Sequence, residues 1–131
     1  MRVLVDTSVW SLAFRRRESQ TCCQVEELKS LILDGRALMI GPIRQEILSG
    51  IRFAEQFERL ESHLLGFPDE PLESSDFVDA ARCCNKCLDS GVQTGFTDIL
   101  ICAVSIRLGV SIFTTDVDFS HIGKALPITL H

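Results

Sequence analysis

Four acidic residues stand at junctions between the predicted strands and helices of this chain: Asp6, Glu46, Asp98 and Asp116. Asp6 directly follows an apolar run, and Asp116 follows the predicted strand 111–114. Glu46 and Asp98 lie early in predicted helices. In an open parallel α/β sheet, the C-terminal ends of the strands share one side of the sheet, and ligands bind there. We therefore expect the four carboxylates to converge on that side.

Such a cluster has a simple chemical use, which is to hold a hard divalent cation. Neighbouring carboxylates repel one another, and this repulsion raises pKa values within a cluster. A cation removes the conflict, and a site made only of oxygen ligands selects Mg²⁺ or Mn²⁺. Simpler interpretations are a helix cap at Asp6 and a helix-dipole interaction at Asp98, worth about 0.3–1 kcal/mol. Each explains one residue and leaves the convergence of all four unexplained.

Other chemistries are less well supported by the sequence. Ser8 stands two residues after Asp6, so the D-x-D of aspartyl-phosphate phosphatases is missing, as are the glycine-rich phosphate motifs. A phosphoryl-accepting receiver domain would need a lysine at the end of its last strand, whereas Lys124 follows a loop. Cys84 and Cys87 form a C-x-x-C without further ligands at zinc spacing. We expect the six cysteines to stay reduced and mostly to be small buried side chains.

Composition predicts a single soluble domain spanning residues 1–131, with 46% hydrophobic and 24% charged residues. No apolar run approaches the roughly 18 residues of a membrane helix, and the N-terminus lacks a signal-peptide pattern. We therefore expect a cytoplasmic protein without membrane contact. The net charge of −5 alone argues against a nucleic-acid partner. The basic run Arg15, Arg16 and Arg17 and a bound divalent cation would both weaken that objection.

Hydrophobic periodicity predicts alternating short strands and helices. Strands are expected at 3–5, 37–40 and 111–114, with a brief strand near Leu72 and a last one at 128–130. Helices are expected at 8–14, about 20–34, 43–51, 53–65, 76–90 and 97–108. Ser74 or Ser75 is expected to cap the fifth of these helices, and Thr97 the sixth. This alternation indicates βαβ units, and therefore an α/β fold with a short, mostly parallel central sheet.

Three segments, "VLVDTSVW", "PIRQEILSG" and "TDILICAVSIRLGVSIFTTDVDF", resemble in this order the motifs of PIN domains. The chain is most similar to the VapC-type toxin ribonucleases of bacterial and archaeal toxin–antitoxin pairs, over essentially its whole length. The resemblance implies a three-layer α/β/α sandwich and a Mg²⁺- or Mn²⁺-dependent endoribonuclease that leaves 5′-phosphate and 3′-hydroxyl ends. It also implies a homodimer, inhibited by a cognate antitoxin that alone contacts operator DNA. The RNA substrate would be a tRNA, an rRNA or an mRNA.

Carried over by position, the family's acidic residues would be Asp6, Glu46, Asp98 and Asp116, with Asp6, Asp98 and Asp116 as metal ligands. Additional residues near the site would be Asp118, Thr7, Ser8 and Thr114. The candidates for RNA contacts are Arg15, Arg16 and Arg17, although a solvated helix end explains them equally well.

The antitoxin is expected to bind an apolar groove between helices. The stripe Phe53, Phe57, Leu60 and Leu64 would line that groove, or would simply be a core-facing stripe. A different class of function is an interaction module that binds antitoxin and cuts poorly. The presence of all four acids argues against that alternative.

Overall fold

The computed structural model describes residues 1–15 and 22–131. Its strands are β1 (Val3–Val5), β2 (Ala37–Leu38) and β3 (Ser111–Phe113). The helices of the described part are α1 (Thr7–Arg15), α2 (Cys23–Leu33), α3 (Gly41–Leu48), α4 (Ala54–Leu64), α5 (Ser74–Asp89), α6 (Phe96–Leu108) and α7 (Asp118–Ile122). Strands and helices alternate as the sequence predicts.

The three strands form a parallel sheet in the order β2-β1-β3. In its register Val5 pairs with Phe113, so β1 and β3 end side by side. The backbone N–H of Asp6 still donates to the Phe113 carbonyl at 2.9 Å, one residue beyond β1. The residues that follow β1 and β3 are therefore neighbours, which is the convergence expected from a parallel sheet.

Helices pack on the sheet in two groups, giving the three-layer α/β/α arrangement. In one group α1 contacts α2 and α3, and α3 contacts α4, while in the other α5 packs along α6. The β1 residues are fully buried between them, and the indole N–H of Trp10 donates to the Val5 carbonyl at 3.1 Å. This hydrogen bond fixes α1 over the strand that carries Asp6.

Helix α6 is apolar on all sides, and every residue from 99 to 105 is buried. A helix of this kind lies in the core and is held by packing around its whole circumference. It ends at Gly109, whose φ of 65° lies in the left-handed region that favours glycine. Asp98 stands in its first turn, so the core fixes the position of that carboxylate.

The succession of the main strands and helices along the chain agrees with the sequence-based predictions, but several boundaries were wrong. Glu73, not Ser74 or Ser75, caps α5, because its side chain and that of Asp76 form a reciprocal capping box. Helix α6 begins at Phe96 after Gly95, without a side-chain cap, so the predicted cap at Thr97 was wrong.

Other differences concern short elements. The predicted strand at 128–130 is reduced to one bridge between Leu130 and Ile112. In place of the brief strand predicted near Leu72, there is a single bridge between Asp69 and Met39. Helix α3 begins at Gly41 rather than at 43. Helix α7 was not predicted. Among the described residues, no helix is long and apolar enough to cross a membrane.

Candidate active site

Asp6 lies at the end of β1 and is the most tightly held acid of the site. Its side chain is only 3% exposed. Its Oδ2 atom accepts hydrogen bonds from Ser8 Oγ at 2.7 Å and from Thr114 Oγ1 at 2.8 Å. Two hydroxyl donors hold the carboxylate in one orientation and partly replace the water it loses on burial. Ser8 and Thr114 therefore position Asp6, as expected for hydroxyls close to the site.

The same two hydroxyls also organise the loop that follows β3. Ser8 Oγ accepts from the Thr115 backbone N–H, and Thr114 Oγ1 accepts from the Asp116 backbone N–H, both at 3.0 Å. Asp116 Oδ1 accepts in turn from the Asp118 backbone N–H at 2.9 Å. This chain of hydrogen bonds links α1 to the loop between β3 and α7. It sets the position of Asp116 relative to Asp6.

Asp98 is half-buried, and its pKa is raised to about 6. Burial is the largest cause, and repulsion by four other carboxylates adds to it, namely those of Asp6, Asp116, Glu46 and Asp118. Each of these acids is thus close enough to oppose ionisation of Asp98. The structure brings together the four acids singled out from the sequence, and Asp118 as well.

The chemistry of this donor set fits a hard divalent cation. All five side chains offer oxygen only, the ligand type that Mg²⁺ and Mn²⁺ prefer. A cation among them would oppose the repulsion that raises the pKa of Asp98. Glu46 and Asp118 are exposed and lie at the rim, whereas Asp6 is buried. Within residues 1–15 and 22–131, no three His, Cys, Asp or Glu side chains form a ready coordination group.

The remaining predicted residues lie around this cluster. Thr7 begins α1, and its hydroxyl oxygen is buried without a hydrogen-bond partner among the described residues. Arg15 is the last residue of α1. Arg16 and Arg17 lie outside the described residues, so their predicted contacts with RNA stay a prediction.

Two clefts are each lined by residues of α1 and α4, and one of them reaches the acidic cluster at Glu46. The polar cleft has a volume of about 560 Å³, and its lining includes Glu46, Gln56, Arg59, Leu60 and His63. The apolar cleft, of about 320 Å³, is lined mainly by Trp10, Ala13, Phe14, Leu28, Ile32 and Phe67. Phe14 and His63 line both clefts, so the two adjoin.

Arg59 was missed in the sequence, although a signal was available. The α4 residues of the polar cleft are 56, 59, 60 and 63, a spacing that places side chains on one helix face. The apolar residues alone predict a different stripe, made of Phe53, Phe57, Leu60 and Leu64. That stripe is not one surface, because Phe53 is 70% exposed and Leu64 is fully buried in the core.

All six cysteines of the described residues are free thiols. Cys87 and Cys102 are fully buried, Cys83 and Cys84 are half-buried, and Cys23 is exposed. Burial is the main reason that the pKa values of Cys83, Cys87 and Cys102 are raised, so these thiols stay protonated and unreactive. They behave as small core residues at the interface of α5 and α6.

The sequence profile of the PIN domain family matches residues 3–125. This stretch contains every acid of the cluster. The chain belongs to the PIN domain family. The resemblance drawn from the three sequence motifs is confirmed, and so is the predicted α/β/α fold.

Named relatives of this PIN domain include ribonucleases. The chain is 33% identical over 124 residues to Ribonuclease VapC11 of Mycobacterium tuberculosis, covering 93% of this chain and 92% of the relative. It has the same identity and coverage with VapC ribonuclease Mb1587 of Mycobacterium bovis.

Solved structures with the same fold include a toxin–antitoxin complex from Klebsiella pneumoniae, with a TM-score of 0.61 at 19% identity and 90% of each chain covered. VapBC2 from Rickettsia felis, bound to a DNA fragment from its promoter, gives a TM-score of 0.77 at 14% identity, covering 100% of this chain and 98% of that one. FitAcB from Neisseria gonorrhoeae gives 0.76 at 18% identity, covering 98% and 95%. At these identities the likeness concerns the fold.

Proposed function

We propose that this PIN domain, spanning residues 1–131, is a metal-dependent endoribonuclease that acts as the toxin of a toxin–antitoxin pair. The observation that carries the proposal is the convergence of five carboxylates, four of which raise the pKa of Asp98. Relatives that are 33% identical over nearly the whole chain bear the name ribonuclease and support the choice of RNA.

In this proposal Asp6, Asp98 and Asp116 hold Mg²⁺ or Mn²⁺ at the end of the sheet. When bound, such a cation stabilises charge on the scissile phosphate and lowers the pKa of a bound water. Ser8 and Thr114 keep Asp6 in its orientation through hydrogen bonds of 2.7 and 2.8 Å. Without these donors the carboxylate would rotate, and the geometry needed for phosphodiester hydrolysis would be lost.

Glu46 has a different role in the proposed reaction. It is exposed and opens onto the polar cleft, whereas Asp6 is buried. An exposed carboxylate at the rim can accept a proton from the attacking water and release it to solvent. We therefore assign Glu46 to orienting the water, and Asp118, also exposed, to the outer edge of the metal site.

The proposed partner is a cognate antitoxin, which carries any contact with operator DNA. One solved structure of the same fold is a toxin–antitoxin complex, and another, VapBC2, is bound to a DNA fragment from its promoter; both support this choice of partner. The apolar cleft, with Trp10, Phe14 and Phe67 in its lining, fits the apolar face of a partner helix. This location replaces the stripe on α4. The homodimer stays part of the proposal and is tested by the mass of the protein in solution.

Cleavage of structured RNA tests the proposed activity. Wild type, Asp6→Asn and Asp98→Asn are compared with Mg²⁺, with Mn²⁺ and with EDTA, and circular dichroism checks the fold. We expect each substitution to lower the cleavage rate at least 100-fold, and EDTA to abolish cleavage. The control is Asp79→Asn, an exposed acid on α5 whose partner is Arg82, and it should cut as wild type does.

The interaction-module alternative predicts a different result. A protein that only binds its antitoxin would not cut RNA under any of these conditions, and the two substitutions would then change nothing. Folded Asp6→Asn and Asp98→Asn proteins that cut as fast as wild type would refute the roles proposed for these residues.

A further inference from the structure

Glu46 of the acidic cluster lines the polar cleft, whereas the other residues of the cleft take no part in the proposed cation site. We infer that this cleft holds the RNA strand next to the scissile bond and that Arg59 contacts a backbone phosphate there. The inference rests on the proposed ribonuclease activity and extends it by naming a residue that positions the substrate.

The cleft continues directly from the acidic cluster. Glu46 lines it on α3, and the same carboxylate lies close enough to Asp98 to raise its pKa. A phosphate held in this cleft is therefore a neighbour of the phosphate at the cation site. The volume of about 560 Å³ lies within the roughly 300–1,000 Å³ usual for ligand sites, and so it has room for a nucleotide.

The lining combines the two kinds of surface that a single RNA strand needs. Leu60, Ile47 and Phe14 supply apolar surface on which a base or a ribose can lie, and Phe14 adds an aromatic ring. Arg59 supplies a planar cation that pairs with phosphate oxygens. Both features belong to one cleft with an open face.

Arg59 is available for a phosphate. Its ion pair with Glu55 spans 3.4 Å, and the two side chains are 65% and 88% exposed. Exposed pairs of this kind contribute little to stability, so a phosphate can replace Glu55 at little cost. Glu58 and Glu61 are acids of the same helix, but they do not line the cleft. The exposed pair with Glu55 is therefore the contact within α4 that a phosphate would have to displace.

The chain offers a matched control for Arg59. Arg82 on α5 forms an exposed pair with Asp79 at 2.9 Å and does not line the polar cleft. Arg59→Gln and Arg82→Gln remove the same charge from similarly exposed positions, 65% and 74% exposed, on two helices. Any effect of net charge alone is thus common to both variants, and only a local contact separates them.

The test measures RNA binding and cleavage in both variants. In an Asp98→Asn background, single-stranded RNA is titrated at several salt concentrations. In the cutting enzyme, kcat and KM are measured separately. Each phosphate contact with a single strand contributes about 0.7 to the slope of log K against log salt, which is about fivefold in affinity at 0.1 M salt. We expect Arg59→Gln to reduce the salt slope by about 0.7 and to weaken RNA binding about fivefold at 0.1 M salt. In the cutting enzyme, the substitution should raise KM about fivefold and leave kcat unchanged.

The Arg82→Gln variant controls for the loss of a positive charge by itself. Arg82→Gln should bind and cut within twofold of wild type. Equal affinities and equal salt slopes for Arg59→Gln and Arg82→Gln would overturn the inference, and would leave the cleft to a protein partner instead of RNA. Failure of wild type to cut RNA with Mg²⁺ or Mn²⁺ would refute the proposed function itself, so the two failures are distinguishable.

Discussion

At the scale of single residues, the half-buried Asp98 and the buried Asp76 differ in the charged groups that surround them. Asp98 faces other carboxylates, and burial and repulsion raise its pKa to about 6. Burial is the largest single influence on Asp76 and opposes its ionisation, but the hydrogen bond and charge of Arg107 and the Glu73 backbone N–H together outweigh it, so the pKa of Asp76 is lowered. A carboxylate paired with a guanidinium stabilises the fold, whereas one among other acids is held there at a cost in stability.

The first prediction concerns the stability of the protein without divalent cations. Because folding raises the pKa of Asp98 from 3.8 to about 6, its ionisation destabilises the folded state. This loss begins as pH rises above about 4 and is complete above about 6. After discounting for its partial exposure, Asp98→Asn should be more stable than wild type by about 1–2 kcal/mol at pH 7.

Urea denaturation in EDTA between pH 3.5 and 8 measures this difference. The gap between Asp98→Asn and wild type should close below about pH 4, where the wild-type carboxyl is protonated in both states. Added Mg²⁺ should stabilise wild type more than the variant. A gap of the same size at every pH would mean that charge repulsion is not its cause.

A second prediction concerns the hydroxyl of Thr114, which donates to Asp6 and accepts from the Asp116 backbone N–H. Thr114→Val keeps the shape of the side chain but removes both hydrogen bonds. We expect cleavage to fall about 10–100-fold, as for other groups that orient a metal ligand. Thr114→Ser keeps the hydroxyl and should retain most of the activity. Equal rates for the Val and Ser variants would show that the hydroxyl does not position Asp6.

At the scale of secondary structure elements, a buried carboxylate joins α5 to α6, the two helices that cover the second face of the sheet. Asp76 is 1% exposed and accepts from Arg107 Nη2 at 3.0 Å and from the Glu73 backbone N–H at 2.9 Å. One carboxylate thereby caps the start of α5 and ties it to the end of α6. Because α6 also carries Asp98 at its other end, the ion pair between Asp76 and Arg107 helps to fix the position of Asp98.

The third prediction follows from this tie. Asp76→Ala leaves Arg107 unpaired and removes the capping box, so we expect a loss of about 2–4 kcal/mol at pH 7 in urea denaturation. The lowered pKa of Asp76 means that its contribution is present above about pH 4 and disappears as pH falls further. Asp79→Ala, which breaks the exposed pair with Arg82, should cost under about 1 kcal/mol. Similar losses in the two variants would refute the buried tie.

Elements whose pattern is local were predictable from the sequence, and elements set by distant contacts were not. The continuously apolar α6 and the short apolar segments of β1 and β3 are visible in the local sequence, so the convergence of Asp6, Asp98 and Asp116 followed from topology. Helix α7 has five residues, too few for a periodic signal. The ion pair of Asp76 with Arg107 joins residues 31 positions apart, and the local sequence pattern does not predict it.

At the scale of the whole molecule, a net charge of −5 is compatible with an RNA substrate because five of the 18 acids form the cluster where a bound cation would offset their charge. Cation-free protein should therefore repel RNA from its site, and divalent cations would serve binding as well as chemistry. The two clefts that adjoin through Phe14 and His63 place the proposed strand path next to the proposed antitoxin site. An antitoxin seated in the apolar cleft would then stand beside the path of the RNA.

The last prediction separates these two surfaces. Ala13 lines the apolar cleft and not the polar one, and it lies on α1. Ala13→Gln keeps the helix propensity high while its longer side chain fills part of the 320 Å³. We expect the variant to bind a cognate antitoxin at least tenfold more weakly by calorimetry, because a partner side chain can no longer enter.

Cleavage of RNA by Ala13→Gln without antitoxin should stay within twofold of wild type, so that the variant is an active toxin that its antitoxin fails to inhibit. The matched control is Ala81→Gln on the exposed face of α5, which should bind antitoxin as wild type does. Trp10, the only tryptophan, lines the apolar cleft, so its fluorescence should respond to antitoxin in wild type and much less in Ala13→Gln. Unchanged affinity of Ala13→Gln would exclude the apolar cleft as the docking site, because a filled cleft cannot admit the same helix.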